Sequence, residues 1–145
     1  MADSKTSRSS GAVFLVADED PDASNRMTGL LSPDYFYIPI RTGEDALRYF
    51  DQLRPAVALL SDQLPFEGGG AGAVLDRLVE GGARVVVLTE EPEPATAIRW
   101  RERGAFACLP HPTKALRRLM VLREVIERLV VAAHEGLRRP SGVPQ

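Results

Sequence analysis

Only one cysteine, Cys108, occurs in 145 residues, so no internal disulfide can form and no cysteine-based metal cluster can be built. That usage suits a reducing cytoplasm. No apolar run approaches the ~20 residues a membrane-spanning helix needs, and no secretory pattern opens the chain; the expectation is a cytoplasmic protein with no membrane role. Net charge is also small, and a formal −2 argues against general nucleic-acid binding. What is present is a hydrophobic content of 44%, enough at this length for the core of one domain.

The charge is spread unevenly. Residues 1–94 hold 8 basic and 16 acidic side chains, whereas residues 95–145 hold 10 basic and 4 acidic. Solvated helix faces account for most such asymmetry in proteins; a docking face for an acidic partner is the functional alternative.

Strand-like and helix-like segments alternate along the chain. Apolar runs predict strands over Val13–Ala17, Tyr35–Arg41, Val57–Ser61, Arg84–Thr89 and Ala107–Leu109. Between them the pattern predicts helices over Pro21–Leu31, Gly43–Leu53, Ala71–Glu80 and Pro94–Arg103, with a long last helix from Thr113 to about Leu137. This alternation indicates a parallel sheet covered by helices on both faces. Val57–Leu60 and Val85–Leu88 are continuously apolar and belong in its middle, while Pro39, which has no N–H for a ladder, puts its strand at an edge. The expected fold is therefore α/β, a flavodoxin-like doubly wound five-stranded sheet of order 2-1-3-4-5 with an extended C-terminal helix. The domain should run over residues 12–137, between polar tails at 1–11 and 138–145 that read as disordered. Ligands of such sheets bind outside the carboxyl ends of the strands, a crevice that would collect Asp18, Glu19, Ser61, Asp62, Thr89 and the His111 loop.

Five motifs in order carry a resemblance to a known family. They are Val16-Ala17-Asp18-Glu19-Asp20-Pro21, Thr42-Gly43-Glu44-Asp45-Ala46-Leu47, Arg54-Pro55-Ala56-Val57-Ala58-Leu59-Leu60, Val85-Val86-Val87-Leu88-Thr89 and Gly104 to Pro112. Over about residues 12–125 the chain resembles the receiver domain of bacterial two-component response regulators. The resemblance implies an acidic pair holding Mg²⁺, an aspartate that accepts a phosphoryl group, a Thr or Ser that binds that group and a lysine that pairs with it. Chemically these supply a carboxylate nucleophile, a cation to neutralise charge, and donors for the transferred oxygens. Asp18 and Glu19 match the acidic pair and Thr89 the hydroxyl.

The other positions depart from the pattern. Four residues before Pro65, at the acceptor position, stands Ser61, whose hydroxyl has no base beside it in the sequence. Asp62 is the alternative acceptor, but one step along a strand reverses side-chain direction, so it can serve only where the strand ends or bulges. His111 stands at the lysine position. An imidazole is shorter and mostly neutral at pH 7; a loop histidine without a ligand is its plainer reading, a pH sensor or metal ligand the sharper one. The resemblance also implies a cis bond between His111 and Pro112. Cys108 takes the place of the family's switch aromatic and reads as a buried structural thiol. Glu90 stands where the family has a small residue, and its carboxylate would repel phosphate. Lys114 falls on the first turn of the last helix and reads as exposed. Gly68-Gly69-Gly70-Ala71-Gly72 lacks the lysine and hydroxyl of a phosphate loop and reads as a turn before a helix. Asp18, Glu19 and Asp62 together would give weak binding of a divalent cation such as Mg²⁺.

The last helix is longer than the fold requires. At ~1.5 Å per residue, its roughly 23 residues span ~35 Å. Leu116, Leu119, Met120, Ile126, Leu129, Val130 and Ala133 follow helical spacing and its first half should cover the sheet. Val130, Val131, Ala132 and Ala133 would then be exposed and invite a partner, a second copy of the chain being the preferred one. The fourth and fifth helices also carry Arg99, Arg101, Arg103, Arg117, Arg118, Arg123 and Arg128, on a face that the resemblance implies is used for partners. In sum, the sequence supports a stand-alone atypical receiver, a protein–protein interaction module of bacterial signalling that is not an enzyme and does not use standard aspartyl phosphorylation. A phosphorylatable response regulator using Asp62 with Mg²⁺ is the alternative. A hydrolase or nucleotide enzyme would need a nucleophile–base pair or a complete phosphate motif that the sequence does not offer.

Overall fold

The computed structural model describes residues 13–90, 93–112 and 116–138, with side chains undescribed at 116 and 133–138. The elements are β1 (Val13–Ala17), α1 (Pro21–Leu31), β2 (Phe36–Ile40), α2 (Gly43–Leu53), β3 (Val57–Ser61), α3 (Gly70–Glu80), β4 (Arg84–Thr89), α4 (Pro94–Glu102), β5 (Ala107–Pro110) and α5 (Leu116–Arg138). All strand pairs are parallel and the sheet order is β2-β1-β3-β4-β5. This is the flavodoxin-like arrangement, with a long C-terminal helix. The expected tails fall outside the described residues, except Arg138, which is helical.

Local chemistry sets the helix starts. Asp20 caps α1 by accepting from the Asp22 N–H at 3.0 Å, with Pro21 in the first helical position where its missing N–H costs nothing. Thr42 caps α2 by accepting from the Asp45 N–H at 3.2 Å. At α3 no side chain caps the helix; Gly69 (φ 128°) and Gly70 (φ 72°) turn the chain into it instead, in the positive-φ region that glycine enters without steric cost.

Strand alternation divides the core in two. Leu15, Ala17, Ala58, Leu60, Val85 and Val87 face α2 and α3, with Phe50, Leu75 and Leu78 among the residues they meet. Phe14, Val16, Val57, Leu59, Val86 and Leu88 face α1 and α5, against Met27, Leu31, Leu122, Ile126 and Leu129. β3 is buried along its whole length, as the continuous apolar run predicts for a middle strand. β2 is the edge: the Asp18 N–H donates to the Ile40 carbonyl at 3.1 Å, so the polar groups of Phe36, Ile38 and Ile40 turn inward and those of Tyr37 and Pro39 turn outward.

Two expectations about the last helix are corrected. Met120 is 61% exposed, because Leu122, Ile126 and Leu129 form the stripe that meets the sheet and Met120 lies on the opposite side of the helix. Val130 is not free either; it packs against the α1 and α5 side of the core, so the helix still covers the domain there. Val131 is 56% exposed, and the side chain of Ala133 lies outside those described. No described helix is long and apolar enough to cross a membrane.

Candidate functional site

Side-chain parity brings three of the expected residues to one place. Asp18 continues the alternation of Phe14 and Val16, Ser61 that of Val57 and Leu59, and His111 that of Leu109; all three emerge on the α1 and α5 side of the sheet's carboxyl edge. Each is at least 98% buried. His111 Nε2–H donates to Asp18 Oδ2 at 2.6 Å, a buried bond between residues 93 apart in sequence. The other carboxylate oxygen of Asp18 is taken as well, accepting from the Asp20 N–H at 2.9 Å. Ser61 Oγ accepts from the Gln63 N–H at 3.1 Å, inside the turn that follows β3.

His111 is held within the chain at both its ring and its main chain. Its main-chain N–H donates to the Thr89 carbonyl at 2.8 Å, and its own carbonyl accepts from Arg118 Nη1 at 3.1 Å, tying the loop to β4 and to α5. Burial works against the charged imidazole, but the bond to Asp18, with the negative charges of Asp18, Glu90 and Glu19, outweighs it and raises the pKa above the ordinary histidine value. Glu90 Oε2 lies 3.4 Å from Nδ1, close enough for charge attraction though not aligned as a hydrogen bond. Glu19 Oε1 is buried without a partner among the described residues. The expected cis bond is also absent: His111–Pro112 is trans, and the cis bond among the described residues is Ser32–Pro33.

Asp62 stands apart from this cluster. β3 does end at Ser61, but the Asp62 N–H keeps the ladder bond to the Leu88 carbonyl at 3.0 Å, so the register runs on without a bulge. Its carboxylate therefore takes the opposite side of the sheet, where it helps push up the pKa of the half-buried Cys108 thiol, an effect due first to burial. Thr89 is buried at the end of β4 and engaged in interactions of its own. Lys114 lies outside the described residues.

The divalent ion implied by the resemblance needs several oxygen ligands, carboxylates foremost. Here both oxygens of Asp18 are committed, Ser61 offers a hydroxyl in place of a carboxylate, and Asp62 is directed elsewhere. Among the described residues no three His, Cys, Asp or Glu side chains are grouped as a metal requires. Glu19 Oε1 is the one buried carboxylate oxygen left uncommitted among the described residues, and a single such oxygen does not fit the ion.

The basic surface is partly occupied. Arg103 is bound bidentately to Asp76 at 2.9 and 3.0 Å, Arg118 holds the His111 carbonyl, and Arg123 lies 3.6 Å from Glu127. Arg99 and Arg117 stay exposed. Between α4 and β5, Ile98 (55% exposed) and Phe106 (42%) line a shallow groove with Arg101, an apolar patch the sequence pattern did not single out. α4 buries none of its side chains fully, which is why its face stays open.

No protein-family model matches the chain, and no curated protein does. Solved structures do. The signal receiver domain of a putative Luxo repressor protein from Vibrio parahaemolyticus is 18% identical with a TM-score of 0.77, over 90% of this chain and 98% of that one. The response regulator domain of Thermotoga maritima CheB is 19% identical with a TM-score of 0.69, over 86% of this chain and 97% of that one. A BeF3-activated DrrB receiver domain is 20% identical with a TM-score of 0.71, over 83% of this chain and 98% of that one. At such identities the likeness is one of architecture, and the chain has the fold of a response-regulator receiver domain.

Proposed function

We propose that the protein is an atypical receiver that works as a protein–protein interaction module in signal transduction, without phosphotransfer at the usual acceptor position and without enzymatic activity. The observation that carries this reading is the buried His111–Asp18 bond beside Ser61. A phosphoryl-accepting pocket needs a free carboxylate nucleophile and a cation that enters with the phosphoryl donor. In this chain the acceptor position holds a hydroxyl, and a buried imidazole bonded to Asp18 stands where the lysine would be, facing Glu19 and Glu90. The bonds of His111 to Asp18, Thr89 and Arg118 occupy this end of the sheet with the chain's own groups.

Output then rests on surfaces. The groove between α4 and β5, lined by Ile98, Phe106, Arg101 and Glu102, suits a signalling partner with an apolar anchor and a polar rim, and α5 supplies a face for self-association. Titration with Mg²⁺ and then beryllofluoride, followed through Trp100 fluorescence and backbone amide shifts, tests the pocket. Amides of Ser61, Asp62 and Thr89 should stay unmoved. Saturable shifts there that require both ions would replace this reading with a phosphorylatable receiver, and loss of those shifts in Asp62→Asn would make Asp62 the acceptor.

A further inference from the structure

The outer face of α5 has a pattern that complements itself when reversed. Val121 (42% exposed) and Val131 (56%) stand on it, with exposed Glu124 and Arg128 between them. The intervals along Val121, Glu124, Arg128 and Val131 are three, four and three residues, which keeps all four on one side of the helix, away from the stripe of Leu122, Ile126 and Leu129. Among the described residues neither Glu124 nor Arg128 has an ion-pair partner. Two shallow hollows follow this face, one along Arg117 to Glu127 and the other along Glu124 to Ala132.

We infer that this face binds a second copy of the chain, α5 against α5 and antiparallel, with the two helices crossing at the level of Ile126. Read in reverse the series is Val131, Arg128, Glu124, Val121, again at intervals of three, four and three. Antiparallel pairing about this point therefore sets Val121 over Val131 and Glu124 over Arg128, each twice by symmetry. It also lays the first hollow of one copy over the second hollow of the other and brings Met120 to Ala132. The register extends outward in sequence, where position 117 is arginine and position 135 glutamate. Parallel pairing would instead place glutamate on glutamate and arginine on arginine, so the charges select the direction. The inference rests on the interaction-module reading only for the use of this face; it is read from molecular mass, independently of the pocket. One helix pair buries little area, below about 1,200 Å², so the association is weak and follows concentration.

Sedimentation velocity of the full chain over a concentration series is the test, with Glu124→Arg and Arg128→Glu made singly, together, and mixed as two singles. The wild type should move from monomer to dimer. Each single change, which creates two like-charge contacts, should raise the dissociation constant by about tenfold or more. The double variant should return to within about threefold of wild type, and the two single variants mixed should form a heterodimer that neither forms alone. A chain that stays monomeric, or a dimer indifferent to these changes, would overturn the inference and leave the pocket reading intact. Circular dichroism of each variant separates lost association from lost folding.

Discussion

Arg103 grips Asp76 with two bonds, at 2.9 and 3.0 Å, where both side chains are about half exposed; His111 meets Asp18 through a single bond of 2.6 Å where water does not reach. Each pair joins an acid to a base from different elements, 27 residues apart at the surface and 93 apart in the core, and the surface pair has the better hydrogen-bond count. Its carboxyl is held below the usual range mainly by the Arg103 bonds, and the guanidinium is raised in return. Yet solvent screens both charges and would receive either one if the other were removed. The buried pair has no such reserve. Stripped of His111, Asp18 would be a carboxylate in the core with one main-chain donor; stripped of Asp18, the imidazole would face Glu90 and Glu19 without its closest partner. Consequence follows desolvation rather than the number of bonds.

The largest separation between the two pairs should come from deletion of one partner. Asp18→Ala should cost about 1–3 kcal/mol in urea unfolding, since it leaves the buried imidazole N–H without its acceptor. A loss under 1 kcal/mol would place the buried pair in the same class as the surface one. A smaller effect is expected from pH. The folded pKa of His111 is raised above the unfolded value of about 6.5, so its stabilisation is fully present below that pH and fades as pH rises through the folded value. Denaturation midpoints measured from about pH 5 upward should fall across that window in the wild type, and His111→Gln should flatten that fall. An unchanged slope in the variant would take the titration away from His111. The smallest effect belongs to the surface: Arg103→Ala should change stability by about 0–1 kcal/mol and lose even that in 1 M salt.

The two pairs also differ in how far the sequence discloses them. Continuous apolar runs at Val57 and Val85, the alternation of elements and Pro39 were enough for the sheet order, because burial on both faces and a missing N–H are properties of single segments. The strand ends are legible too: Asp18, Ser61 and His111 each stand at the carboxyl end of an apolar run. Their pairing is not, since spacing gives the strand end but not which imidazole nitrogen meets which carboxylate oxygen across 93 residues. Parity would have supplied part of it, because Asp18, Ser61 and His111 share one side and Asp62 takes the other. In α5 apolar residues occupy most of the circumference, so spacing alone could not orient it; the rotation that buries Leu122, Ile126 and Leu129 turned Met120 outward. Val130 packs inward because the neighbouring α1 side of the core extends that far, which helix length does not say.

The proline in the outer strand restricts the ways in which this molecule can meet others. A bare strand edge normally offers a template on which a foreign strand, or the same strand of a neighbour, can add another rung to the sheet. Of the two outward-facing residues of β2, Tyr37 can give and accept such bonds, but Pro39 can only accept. Two consecutive rungs cannot form there. Growth of the sheet by accretion, the route toward fibrous assemblies, is interrupted at that residue on the β2 side of the sheet.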